Sequence, residues 1–148
     1  MKLLALACSI TLLFGCGNKK LVGDGTGQQL KTKKIEAVGT LGQFPEESTP
    51  ITIEKAKIEG NELVLDVSYG GGCQEHEFKL IGSEMISKSL PPIRAIKLVH
   101  IGNNDMCKAL IMQTLKFDIS AFAYKQEKGS EITLRLDGVK EPLKYVFQ

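Results

Sequence analysis

The sequence predicts an all-β domain, an antiparallel β-sandwich of about seven strands and immunoglobulin-like size. Three observations point there. From Ile51 onward apolar residues recur at every second position, most cleanly as Leu63, Leu65, Val67 and Tyr69 against Glu62, Val64, Asp66 and Ser68. Turn chemistry such as Glu59-Gly60-Asn61 and Asp137-Gly138 interrupts these runs at short intervals. No stretch beyond the amino terminus keeps a helical period. A flattened barrel is the alternative closure of the same strands.

The expected elements follow in order. Ile51 to Ile58 is the first strand, and Glu62 to Tyr69 is the second, half-buried one. Gly70-Gly71-Gly72 has no side chain to bury and tolerates positive φ, so it marks a bend or bulge. A phosphate-cradling glycine loop would open a helix, whereas Cys73 to Ile81 reads as strand, with His76, Phe78 and Leu80 on one face. Gly82 to Leu90 is polar and irregular, and Pro91-Pro92 blocks a helix or central strand there. Ile93 to Ile101 sets Ile96, Leu98 and His100 on one face. Gly102 to Asp105 is a loop. Cys107 to Ile119 is a long strand with Ala109, Ile111, Leu115, Phe117 and Ile119 in phase. After a connection over Ser120 to Ser130, Glu131 to Leu136 and Leu143 to Phe147 complete the sandwich.

Residues 1–15 read as a secretory signal peptide: Lys2 precedes an apolar run from Leu3 to Phe14, too short for a membrane-spanning helix of roughly 20 residues. Residues 16–48 read as a tether, glycine-rich and flexible to about Lys34, with one short strand between Ile35 and Phe44 weakened by Gly39 and Gly42. The β-domain then occupies residues 49–148.

The run Leu13-Phe14-Gly15-Cys16 resembles the lipobox of bacterial lipoproteins, with Phe14 at the tolerant middle position. The resemblance implies cleavage before Cys16, a diacylglycerol on its thiol and an acyl chain such as palmitate on its new amino group. An earlier site at Cys8 would leave too little apolar core before it. Several acyl chains hold a protein on a bilayer firmly where one holds it marginally. Gly17 follows, with no Asp to retain the protein at the inner membrane, so the resemblance implies the cell envelope and the outer membrane of a host that has one.

Removal of the leader would leave 18 Lys and Arg against 17 Asp and Glu. That near-neutral balance gives no basis for nucleic-acid binding or for electrostatic adhesion to anionic lipid. The absence of Trp argues against a stacking surface for single strands or sugars.

Cys73 and Cys107 then remain as an even pair in an exported chain, most simply a disulfide. Closing so long a loop is worth roughly 3 to 4 kcal/mol in the chain-entropy account. The competing pattern is a zinc or copper site, because Cys73-x-x-His76 and His100-x6-Cys107 supply two thiolates and two imidazoles. Strand residues three apart point to opposite faces, so such a site needs the glycine bend. His76 and His100, with Glu75 or Asp105, are also candidates to line a metal-binding or acid-base pocket; the simpler alternative makes both histidines buried, hydrogen-bonded residues fixing strand ends. Ser83, Ser87 and Ser89 sit in no nucleophile elbow, and Asn103-Asn104-Asp105 lacks the alternating carboxylates of a calcium loop. No catalytic residue is therefore assigned, and no cofactor beyond the possible metal.

The segments G-G-G-C-x-E-H-x-F and L-V-H…D-x-C-x-A-L, followed by Phe117-Asp118-Ile119-Ser120, resemble small lipoprotein and periplasmic domains of bacteria over residues 62 to 120. That resemblance implies no activity. The expectation is a lipid-anchored, non-catalytic binding module of the envelope, partnered with the membrane and with an envelope protein or small ligand. A metal-binding protein or hydrolase using His76 and His100, and an inhibitor of an envelope enzyme, are the alternatives.

Overall fold

The structure, a computed structural model, describes residues 36–148. The leader, Cys16 and the tether to residue 35 lie outside the described residues. Nine strands and one short 3₁₀ turn, Ser120–Phe122, form two facing mixed sheets. β1 (Glu36–Val38), β7 (Ala109–Asp118), β4 (Glu62–Gly71) and β3 (Thr52–Glu59) make one sheet in that spatial order. β2 (Thr40–Leu41), β5 (Glu77–Ser87), β6 (Ile93–Ile101), β8 (Glu131–Leu136) and β9 (Leu143–Val146) make the other. The all-β, two-sheet class holds.

The core between the sheets comes from the alternating faces: Leu63, Leu65 and Val67 of β4, Leu115 and Phe117 of β7, Ile96 and Leu98 of β6, Ile132 and Leu134 of β8, and Tyr145 of β9. Among the described residues no helix is long and apolar enough to cross a membrane.

Three departures from the expected layout matter. Pairing is not wholly antiparallel, because β1 runs parallel to β7, β2 to β5 and β6 to β8. The strand count rises from seven to nine because β1 and β2, two or three residues each, fall in the stretch expected as tether. They exist by pairing with existing sheet edges rather than by any alternation of their own. Between them the chain crosses from one sheet to the other at Gly39, where a Cβ would stand 2.5 Å from the Phe122 ring, so only glycine passes there.

The third departure concerns β5. It begins at Glu77 rather than Cys73 and runs on to Ser87, through residues expected to be irregular. An irregularity between Gly82 and Ile86 lets Ser83, Glu84 and Met85 loop out while pairing to β6 resumes at Ile86. Arg94, buried on β6, donates from Nη1 to the Ser83 carbonyl and from Nε to the Phe122 carbonyl at 3.1 Å. The guanidinium thus ties the bulge to the 3₁₀ turn.

Candidate functional site

One end of the sandwich gathers most of the chemistry-bearing residues singled out in the sequence. β4 and β7 pair antiparallel up to Gly71 and Ala109, and β5 and β6 pair up to Glu77 and Ile101. The loops beyond these pairs, 72–76 and 102–108, therefore meet. Cys73 and Cys107 are joined there in a disulfide, with Cα atoms 5.9 Å apart. Such a bridge belongs to a protein of an oxidising, extracytoplasmic compartment.

Asp105 organises both loops. Its Oδ2 accepts from the backbone N–H groups of Gly72, Cys73 and Gln74 at 2.8, 2.9 and 2.9 Å, and Oδ1 accepts from the N–H of Cys107 at 2.9 Å. Three successive amides turned to one point make an anion-binding nest, and here the anion is the protein's own carboxylate. The amide of Cys107 first, then that of Gln74, with His76 and Cys73 adding to them, hold the carboxyl well below the usual carboxylate range. The glycines thus serve no phosphate: Gly70 and Gly71 carry β4 on past its expected end at Tyr69, paired with Leu110 and Ala109, and the amide of Gly72 turns to Asp105. Gly71 and Gly72 take φ of +153° and +122°, and a Cβ on Gly71 would lie 2.6 Å from His76 Nε2.

A line of hydrogen bonds leads inward from this carboxylate. His76 Nε2 lies 3.1 Å from Asp105 Oδ2, His76 Nδ1 lies 2.7 Å from His100 Nε2, and His100 Nδ1 lies 3.2 Å from the Pro50 carbonyl. Donor roles follow from the partners that can only accept. The Pro50 carbonyl takes the proton of His100 Nδ1, which leaves the lone pair of His100 Nε2 to accept from His76 Nδ1. Ionised Asp105 accepts from His76 Nε2. This arrangement keeps His100 neutral, with its one proton on Nδ1. Burial first, with the nearby His76 adding to it, pushes the His100 pKa down from its ordinary value, against the opposing pull of the Pro50 carbonyl.

Packing seals the line. His100 lies 4.9 Å from the Phe78 ring, its cross-strand partner, at an interplanar angle of 7°. Tyr69 sits 4.8 Å from each imidazole, and its hydroxyl donates to Gln113 Oε1 at 2.8 Å. The segment ahead of β3 covers the far side: the N–H of His100 donates to Ser48 Oγ at 3.1 Å, and that of Gly102 to Thr49 Oγ1 at 3.0 Å. The side chains of His76 and Asp105 are 3% and 2% exposed. A cleft of about 620 Å³ lined by Glu46, Glu47 and Pro50 reaches His100, but that residue is itself only 1% exposed.

The candidate metal ligands do not converge on a common point. Two imidazole nitrogens bound to one zinc at roughly 2.0–2.1 Å each, at a tetrahedral angle, stand about 3.4 Å apart. His76 Nδ1 and His100 Nε2 are 2.7 Å apart, a hydrogen-bond distance with no room for an ion. Cys73, Asp105 and Cys107 bring ligand atoms within 4.8 Å of one another, yet the sulfurs are bonded to each other and offer no thiolate. Glu75 is exposed, and it is its main-chain carbonyl that takes part, accepting from Asn103 Nδ2 at 2.7 Å. Cys16 lies outside the described residues.

Sequence reasoning brought Cys73, His76, His100, Asp105 and Cys107 to one end, and they meet there. It missed Tyr69, Gln113 and Pro50 as members of the network. For Gln113 a signal existed: it is a polar residue in phase with Ile111, Leu115 and Phe117 on the core face of β7, and a buried amide needs a partner. For Pro50 there was none, because its carbonyl is backbone.

No protein-family profile matches the chain, and no curated protein is similar to it in sequence. Among solved structures it is similar to a NigD-like immunity protein from Bacteroides caccae, at 14% identity and a TM-score of 0.56, over 76% of this chain and 64% of that one. It is also similar to a protein of unknown function from Bacteroides vulgatus, at 16% identity and a TM-score of 0.51, over 77% of this chain and 57% of that one. At such identities the likeness shows the fold alone, and the chain spans less than two thirds of either protein.

Proposed function

We propose that this chain is a lipid-anchored protein of the cell envelope whose β-sandwich is a non-catalytic interaction module, acting on another protein as an inhibitor or immunity factor. The observation that carries it is the closed state of the Asp105–His76–His100 line. Every ring nitrogen and both carboxylate oxygens have a partner inside the protein, and the side chains of His76 and Asp105 are nearly inaccessible. A general acid or base must reach its substrate. Groups spent on holding two loops together serve stability instead.

What the surface does offer is apolar. Met85 in the β5 bulge is 83% exposed and Leu90 in the following turn 100%. Large apolar side chains left in solvent suit contact with a partner rather than chemistry. The disulfide supports an extracytoplasmic setting, and the lipobox-like run ending at Cys16 supports the anchor. The fold is one that a solved immunity protein shares.

Two measurements test this reading. Cells grown with a clickable palmitate analogue should label the wild-type chain in the membrane fraction and fail to label Cys16→Ser; an unlabelled wild type overturns the anchor. A photo-crosslinking residue at Leu90 should trap a single protein in saturable amounts. Turnover of ester or peptide substrates by the purified chain, abolished in His76→Gln, would make it an enzyme and overturn the module.

A further inference from the structure

The outer face of the five-stranded sheet carries a cleft of about 680 Å³ between the segment around Phe44 and the β8–β9 turn. Its floor follows from the parallel register of β6 and β8, which places Ala95 beside Arg135 and Ile96 beside Leu136. Ala95 is small and exposed, so a hollow opens next to the guanidinium of Arg135. Lys97, two residues along the same face of β6, is steadied by donating from Nζ to the Pro45 carbonyl at 3.2 Å. Lys140 closes the hollow from the turn, and Phe44 and Pro142 supply apolar walls. Three cations thus line the cleft against one carboxylate, Asp137. Among the described residues neither Arg135 nor Lys140 is in an ion pair.

We infer that this cleft receives an acidic segment of a polypeptide partner, one carboxylate seated on Arg135 between Lys97 and Lys140 with a neighbouring apolar side chain against Phe44. The inference rests on the interaction-module reading and names the chemistry of its partner. Arginine suits the role because its planar fork grips a carboxylate with two parallel hydrogen bonds. The volume falls in the range that holds a few side chains. A flat anionic membrane is disfavoured by the exposed carboxylates that adjoin the lining residues along the chain, Glu46, Glu47 and Glu141. They repel a charged plane. The near-neutral chain offers no extended basic stripe for nucleic acid.

Amide NMR of the full chain in detergent micelles tests the site with a blocked peptide alternating leucine and glutamate as probe. The amides of Ala95, Lys97 and residues 135–140 should shift saturably, and added salt should weaken the response. Arg135→Glu should weaken the apparent Kd by roughly tenfold or more while the amide of Leu65 in the core stays in place. Shifts that are absent, equal with the glutamine counterpart or unchanged in Arg135→Glu overturn the site. So does a stronger response of the same amides to phosphatidylglycerol vesicles, which would make the ligand a membrane surface. Crosslinking from Leu90 alongside a silent cleft would remove this site and leave the interaction module standing.

Discussion

Asp105 accepts five hydrogen bonds, four from main-chain amides and one from His76, and so ties together the two loops that the disulfide joins. The pH dependence of stability follows from it and from His100. A carboxyl whose folded pKa is depressed contributes fully above its unfolded value of about 4 and loses that contribution as pH falls toward the folded value. His100 acts in the same direction from a higher pH. With its folded pKa below 6.5, the unfolded chain takes up a proton first, so stability falls as pH drops through that value. The urea midpoint should therefore be lower at pH 5 than at pH 7, and lower again at pH 3. Asp105→Asn should flatten the second step, and a midpoint unchanged between pH 7 and 5 would contradict a neutral, buried His100. Adjacent glycines give a second, cleaner test. Gly71→Ala forces a Cβ to within 2.7 Å of His76 at a positive φ and should lower stability by about 1–3 kcal/mol. Gly70→Ala meets nothing within 4 Å and should be close to neutral.

The strands divide by how they are specified. β6 and β8 have the boundaries expected from sequence, Ile93–Ile101 and Glu131–Leu136, because each is an alternating run bounded by strong turn residues. β5 does not, since the chain from Gly82 to Met85 carries no alternation and its continuation depends on a donor from another strand. Arg94 is that donor. Arg94→Met would leave the Ser83 and Phe122 carbonyls without it and should cost about 2 kcal/mol or more in chemical denaturation. Arg94→Lys should not restore the loss, because an ammonium cannot span both carbonyls as a planar fork does. Equal stability of Arg94→Met and wild type would show that β5 holds its bulge unaided. The front of β5 was hidden for a related reason: the amides of Gly72 to Gln74 are drawn to Asp105, more than 30 residues away, before strand pairing can begin.

Across the molecule, the disulfide and the Asp105 nest are two staples at one end of a sandwich whose other strands are held by apolar packing. Residues 73 and 107 are 34 apart in sequence, so replacing both cysteines by serine should remove roughly 3–4 kcal/mol, read from the urea midpoint, while the sheet content seen by circular dichroism is kept. A double variant as stable as wild type would assign the end-closure to Asp105 and the histidines alone. Amino-acid order suffices for the β class, for the core faces of the alternating runs and for the cysteine pair, because side-chain alternation along a strand is a local property with a period of two residues. It does not suffice for the parallel pairings, for the crossing at Gly39, for the joining of two imidazoles and a carboxylate into one buried line, or for the cation-lined cleft beside Ala95. Those depend on which distant edges and loops meet. An unpaired edge accepts any backbone that arrives in register, and a ring of amides accepts any carboxylate within reach, so the choice of partner is made by packing of the whole domain and leaves no periodic trace along the chain.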